Sequence, residues 1–214
     1  MVSGPSGSGK TTLATAVLDA QGLKKRLARS VSLTTRPMRP GEQDKKDYFF
    51  VSRKTFQRLL KAKKILEWTR YLGYYYATLK DFTEGQLEQG KSLVLCLDSK
   101  GARRIKRIYP KNTVTIFVLP PSLDALRERI NKRSDKTKPW ELNLRMRMAK
   151  KELVLAGTYD HCLLNADLKQ GVKELKNIIL NKMEPVRAKV RGTQGRNTKA
   201  ALKDGVCERR SIKA

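Results

Sequence analysis

Residues 4–11 read GPSGSGKT and satisfy the spacing G-x-x-x-x-G-K-[ST]. Gly4, Gly7 and Gly9 allow backbone N–H groups to converge on one point, and a helix that follows directly adds the positive end of its dipole. Such a loop, Gly4, Pro5, Ser6, Gly7, Ser8, Gly9, Lys10, Thr11 and Thr12 in this chain, cradles the phosphates of a nucleoside triphosphate. Lys10 reaches the β and γ phosphates, and Thr11 offers its hydroxyl to Mg2+. The motif specifies a triphosphate. By itself it does not choose among an ATPase, a GTPase and a small-molecule kinase.

A second constellation lies at 30–50, SVSLTTRPMRPGEQDKKDYFF. Ser30, Ser32, Thr34 and Thr35 supply hydroxyls, Arg36 and Arg39 stand three apart among prolines and a glycine, and Tyr48 closes the stretch. Alone it reads equally well as a solvated loop. Beside a triphosphate site it can hold an acceptor. Arg36 and Arg39 can clamp a monophosphate through forked, charge-assisted hydrogen bonds, and Tyr48 and Tyr76 can each donate a hydroxyl to it. Glu67, in ILEW, is the candidate for choosing the base. An ionised carboxylate only accepts, so it suits the adjacent N1–H and N2–H2 donors of guanine and repels the N1 acceptor of adenine. Ser32 and Thr78 can donate to guanine O6. A buried set of this kind discriminates strongly, because a wrong base leaves polar groups unpaired. Standing alone, Glu67 would read as a surface glutamate on an edge strand.

These groups need a scaffold. Leu93–Leu97 and Val114–Leu119 are compact apolar runs, with a shorter third at Cys162–Leu164; such runs suit strands buried on both faces of a parallel sheet. Helical patterns cover Thr11–Ala20, Leu123–Lys132 behind Ser122 as N-cap, Leu142–Leu155 and Val172–Lys182. Strands alternating with helices imply an α/β fold with right-handed crossovers. Residues 31–79 differ. Asp47–Val51, Ile65–Tyr71 and Tyr74–Leu79 are aromatic and β-branched, and a short helix from near Ser52 runs through Phe56 and Leu60, which together predict a small mixed β insertion. The core is therefore expected at 1–30 and 80–185, with the insertion at 31–79. Residues 131–141 are polar, basic and without periodicity, and a mobile lid is expected over about 126–150. A basic, disordered tail is expected at 186–214. Only Met1, Val2 and Ser3 precede the glycine loop, so either the true start lies upstream or the sheet is weak at its centre.

Composition narrows the function. The 214 residues include 47 Lys+Arg against 20 Asp+Glu, a net charge of +27, which attracts polyanions and small phosphorylated ligands. The segment 187–214 holds +7 of this, so most of the charge sits in the body. No apolar run is long enough for a membrane span and no signal segment is present. Cys96, Cys162 and Cys207 are scattered without a CxxC pair, and His161 is the only histidine. Disulfide scaffolds and zinc clusters are disfavoured, and a cytoplasmic location is the default.

With GPSGSGKTT, SVSLTTRPMRPGE, DYFFVS, ILEW, GYYYAT, LDSKG, LPPS and YDHCLLNADL in this order, the chain resembles the guanylate kinase family from Val2 to about Ile179. The resemblance implies a parallel α/β core of the P-loop type flanked by helices, a mixed β GMP-binding insertion and a mobile lid. It implies Mg2+-dependent transfer of the ATP γ-phosphoryl group to GMP. It assigns Ser32, Arg36, Arg39, Tyr48, Glu67, Tyr76 and Thr78 to GMP, with Asp98 of LDSKG beside them, and the loop 4–12 to ATP and Mg2+. Arg133 and Arg145 match the lid arginines, with Arg147 open as a substitute for Arg145, and Asn165 falls where the family touches the ATP base. Catalysis would fall to Lys10, Arg39, Arg133 and Arg145. Three departures stand out: Cys96 replaces a usual Asp and Lys100 a usual Gln, Ala77 replaces a Gly, and Ala166 an Asp. The first leaves room for a weakened enzyme. A non-catalytic binding module of the same fold, a nucleic-acid-binding protein using the basic tail, and a kinase for another small molecule are the rival readings. The oligomeric state is open.

Overall fold

The computed structural model describes residues 1–20, 23, 25–132 and 138–183. Arg133 and the whole expected tail, Cys207 included, lie outside the described residues.

The chain starts in β1 (Val2–Ser3), turns through the glycine loop into α1 (Lys10–Asp19), and returns through β2 (Leu27–Arg29). β3 (Ser32–Thr34), β4 (Tyr48–Phe50), α2 (Arg53–Lys61), β5 (Ile65–Tyr71) and β6 (Tyr74–Leu79) follow. The core resumes with α3 (Lys80–Glu88), β7 (Ser92–Val94), α4 (Ser99–Ile108), β8 (Ile116–Leu119), α5 (Leu123–Lys132), α6 (Pro139–Leu153), β9 (His161–Leu164) and α7 (Leu168–Met183).

The core sheet is parallel throughout. β1 pairs with β8, β8 with β9, and β2 with β7. The short β1 joins the two parts: Val2 N–H donates to Leu95 O at 2.8 Å, Leu97 N–H donates to Val2 O at 3.1 Å, and Val2 also faces Ile116 of β8. Two residues thus hold both neighbours, and the expected weakness at the centre of the sheet is met by pairing on each side. Side chains alternate between two apolar layers. Val94, Ile116, Val118 and Leu163 face Leu13 and Val17 of α1 and Leu175 of α7. Leu95, Leu97, Phe117 and Leu119 face Ala102 and Ile105 of α4. This double burial is what the continuous apolar runs predict.

Residues 32–79 build a separate mixed sheet in the order β4-β3-β6-β5, with β3–β4 parallel and the other pairs antiparallel. Helix α2 covers one face, capped by the Ser52 hydroxyl accepting from Thr55 N–H at 3.1 Å. Its Phe56 is fully buried, stacked on Tyr75 at 4.8 Å between ring centroids.

Several elements differ from the sequence expectation. α3 and α4 are helices that the sequence did not announce, and the hydroxyl-rich Ser32–Thr34 is a strand because it pairs with both Tyr48–Phe50 and Ala77–Tyr76. Pro139 at the first position starts α6 three residues earlier than the apolar pattern does. Ser122 caps α5 as expected, accepting from Ala125 N–H at 3.1 Å.

Candidate active site

The two sheets and α6 enclose a cleft of about 1400 Å3. The glycine loop forms one wall. Gly4, Gly7 and Gly9 all hold positive φ (138°, 87° and 93°), which side chains resist. Space forbids a side chain as well: a Cβ on Gly9 would run into the Asn165 amide, and one on Gly7 would lie 2.8 Å from Ile130. The first residue after Gly9 already belongs to α1, so the helix N-terminus opens directly into the cleft. Lys10 Nζ donates to the Gly4 and Pro5 carbonyls at 2.6 and 2.8 Å, folded back into the loop. Thr11 and Thr12 are exposed and line the cleft. The Pro5 carbonyl also accepts from Ser8 N–H at 3.1 Å. The Ser8 hydroxyl is buried without a hydrogen-bond partner among the described residues.

Asn165 lines the cleft but spends its side chain on the loop. Its Nδ2 donates to the Ser8 carbonyl at 2.8 Å, and its own carbonyl accepts from Arg129 at 3.1 Å. It braces the phosphate loop from the end of β9.

The opposite wall comes from the mixed sheet, with Ser32, Arg36, Arg39, Tyr48, Glu67 and Tyr76 lining the cleft. Arg36 is 8% exposed. Its NH2 donates to Glu42 Oε1 at 2.8 Å, and NH1 donates to the Pro37 carbonyl at 2.7 Å. Its guanidinium carbon lies 5.3 Å from the Tyr48 ring centroid and 5.6 Å from that of Phe50. Burial works to lower the Arg36 pKa, yet the Glu42 carboxylate and neighbouring tyrosines outweigh it and raise it. Glu42 Oε2 also accepts from Arg39 N–H at 2.9 Å. One carboxylate therefore sets both the side chain of Arg36 and the backbone at Arg39. Sequence reasoning assigned Glu42 no role, although it stands in TTRPMRPGE six residues after Arg36, and an acid so placed among arginines was the available signal.

Glu67 is 3% exposed, and Thr78 donates to its Oε1 at 2.5 Å. The surface-glutamate alternative fails because a register shift between Ile65 and Glu67 buries Leu66 and Glu67 in succession. Thr78 is fully buried, and its one hydroxyl proton goes to Glu67, so it supports the carboxylate in place of donating to a base. Burial pushes the Glu67 pKa up to about 7, with the negative charge of Asp98 adding to the rise and the Thr78 bond and Arg104 opposing it. Burial thus disfavours the fully ionised carboxylate expected from sequence in the ligand-free cleft. Asp98 caps α4, its Oδ1 accepting from Gly101 N–H at 2.8 Å. Gly101 has to be small: a Cβ there would lie 2.6 Å from Glu67 Oε2.

Of the two arginines left open on α6, Arg145 lines the cleft and Arg147 is exposed outside it. Arg145 is held by Glu141, one helical turn away, at 2.9 Å through Nε and 2.6 Å through NH2, and its NH1 donates to Ser6 Oγ at 3.3 Å. Glu141 and Glu152 are further cleft acids that sequence reasoning left without a role. Burial raises the Glu152 pKa to about 7, against the pull of Lys10 and with the push of Asp98. Cys96 also faces the cleft, and burial pushes its thiol up, leaving it neutral where a carboxylate would be charged.

A family model described as guanylate kinase matches residues 1–182. The chain belongs to the guanylate kinase family. A guanylate kinase of Thermotoga maritima is 40% identical over 197 residues, covering 91% of this chain and 89% of that protein. One from Caldanaerobacter subterraneus subsp. tengcongensis is 38% identical over 180 residues, covering 84% and 85%. The crystal structure of guanylate kinase from Anaplasma phagocytophilum superposes with a TM-score of 0.71 at 28% identity, over 86% of this chain and 85% of that one. The α/β fold with a parallel sheet is that of guanylate kinases, which as a family are nucleoside monophosphate kinases. Among the described residues no helix is long and apolar enough to cross a membrane.

Proposed function

We propose that this chain transfers the γ-phosphoryl group of ATP to GMP, giving ADP and GDP. The observation that carries the reading is the buried Glu67 carboxylate at the far wall of a cleft whose near wall is an intact phosphate loop. In this reading Ser32, Arg36, Arg39, Tyr48 and Tyr76 hold the GMP phosphate and base edge, and Glu67 accepts from guanine N1–H and N2–H2. Thr78 and Asp98 set the Glu67 environment. Residues 4–12 hold the ATP phosphates, and Asn165 braces them near the ATP base.

The acceptor is a phosphate oxygen, already anionic near neutrality because its second pKa is about 6. No strong general base is needed. A bond forms from that oxygen to the γ phosphorus while the bond to the β-phosphate oxygen breaks, and ADP leaves. Lys10, Arg39, Arg133 and Arg145 offset the charge on the transferring group. Lys10 must first leave the Gly4 and Pro5 carbonyls, where it rests without ligand. Arg145, pinned between Glu141 and Ser6, is already at the loop. Segment 126–150 acts as the lid that excludes water.

Mg2+ suits the donors present. Thr11, Asp98 and Glu152 offer oxygen, and no group of three acidic, His or Cys residues among the described ones could cage a metal by itself. That is the pattern for a hard ion held mainly by phosphates and water, with Thr11 as the direct protein ligand. Bound there through Thr11, the ion would supply charge neutralisation to the transferring phosphates. The same reading places the reaction in the cytoplasm and gives the basic segment 187–214 salt-sensitive, sequence-independent contact with nucleic acid.

The test is ADP formation from ATP and Mg2+ with GMP, AMP, CMP and UMP in parallel, with Lys10→Ala as control. Turnover with GMP alone, lost in the control, is the expected result. GMP binding without turnover would overturn the kinase reading in favour of a binding module.

A further inference from the structure

Outside the cleft, α4 and the edge strand β5 border a groove of about 610 Å3 lined by Trp68, Lys100, Arg103, Arg104, Arg107 and Ile108. Four of its six lining residues are cations and none is acidic. Lys100, Arg103, Arg104 and Arg107 follow the spacing i, i+3, i+4, i+7, so they share one helix face. Like charges at these spacings repel, and a protein normally relieves them with acids one turn away. Here the acids are absent. Among the described residues, Lys100, Arg103 and Arg107 have no carboxylate within ion-pair distance. Arg104 differs, because its Nε donates to the Leu66 carbonyl at 3.1 Å and ties the helix to the strand.

The aromatic member of the groove faces away from the cleft. Trp68 is 39% exposed although two rings support it, Tyr75 at 5.7 Å and Phe56 at 6.3 Å between centroids, both at steep angles. The indole is therefore fixed in orientation with surface left over. Ile108, 42% exposed, adds an apolar edge. An anchored aromatic ring beside a row of unpaired cations is the pattern that takes bases by stacking and phosphates by charge. A duplex offers the phosphates but keeps its bases stacked on each other. From Lys100 to Arg107 the helix rises about 10 Å, enough for its exposed cations to reach neighbouring phosphates of one strand.

We propose that the α4–β5 groove binds single-stranded nucleic acid without sequence preference, a base resting on Trp68 and phosphates on Lys100, Arg103 and Arg107. The inference does not depend on the kinase reading. Glu67 and Trp68 are adjacent on β5 and point to opposite faces, so the strand and the nucleotides of the cleft occupy separate sites.

The experiment is fluorescence anisotropy of a labelled 12-nucleotide oligouridylate with the full chain across a salt series. Losing two phosphate contacts lowers the log–log salt slope by about 1.4, or ~20-fold in affinity near 0.1 M salt. That is the result expected for Arg103→Ala/Arg107→Ala, at two exposed positions where folding is not at stake. Lys169→Ala/Lys173→Ala on α7 removes the same charge elsewhere and should change affinity by less than about threefold. Trp68→Ala should weaken the single strand by ~5-fold or more and leave a duplex of equal length unaffected. Equal losses in the α4 and α7 variants would reduce the effect to the overall field and overturn the proposal. So would displacement of the oligonucleotide by saturating ATP and GMP, or by poly-glutamate at equal charge.

Discussion

The two walls of the cleft are built on different terms. On the acceptor wall Arg36 is held by Glu42, in the loop between β3 and β4, and Glu67 by Thr78, within the mixed sheet. On the phosphate-loop wall one charge rests on partners it must leave. Lys10 sits on the carbonyls of its own loop, while Arg145, held by Glu141, already reaches Ser6. The contrast separates recognition from reaction. The acceptor wall discriminates because its groups are already positioned, and give up only water and, at Glu67, a proton on binding. The donor wall rearranges when phosphates arrive, which couples the chemistry to the correct ligand.

The largest test of this division is Lys10→Ala. It should lower kcat by at least about a thousandfold while GMP affinity, measured by calorimetry, stays within about twofold. Arg145→Ala should lower kcat by about a hundredfold, and Arg147→Ala by less than twofold, since only the first reaches the loop. On the acceptor wall the pattern reverses. Glu67→Gln should cut kcat/KM for GMP by ~10–100-fold and narrow the preference over AMP. Glu42→Gln should raise KM for GMP by about tenfold with kcat nearly unchanged, because it loosens Arg36 without touching the reacting atoms.

The carboxylates add a pH signature. The Glu67 pKa is raised to about 7 in the ligand-free protein, and guanine needs the ionised form. GMP affinity should therefore fall as pH drops below about 7, approaching tenfold per unit. Glu67→Gln should remove that component and keep only the titration of the GMP phosphate near 6. For stability the sign is opposite. Glu67 and Glu152 both hold protons in the folded state that an unfolded carboxylate, near 4.5, releases. Stability is thus greatest below about 4.5 with respect to these groups and declines as pH rises to 7. Glu152→Gln should recover about 2 kcal/mol at pH 8 and nothing at pH 4, read from urea midpoints.

What the sequence made legible follows from where the signal resides. The phosphate loop was readable because glycine spacing and chemistry coincide within eight residues. The two-sided apolar strands were readable because burial on both faces removes alternation. α4 was not, since SKGARRIKRI buries only Gly101, Ala102 and Ile105 and its charge hides the apolar stripe. α3 was obscured in the same way by Gly85 and a polar majority. Ser32–Thr34 became a strand through partners 16 and more residues away, which no local propensity encodes. At Glu67 the residue type and the motif pointed inward, and the bulge that turns it inward is a property of the β5–β6 register. Glu42 was missed because its importance lies in what it holds.

The two residues of β1 tie the start of the chain to segments near 96 and 116 through bonds on both edges. Local fluctuation cannot open such a strand without breaking the sheet in two. The amide protons of Val2 and Leu97 therefore exchange with solvent only when the whole core unfolds, while those of α5 and α6 exchange through smaller openings. The phosphate loop begins at this strand, so a chain whose core is folded holds the root of that loop in place.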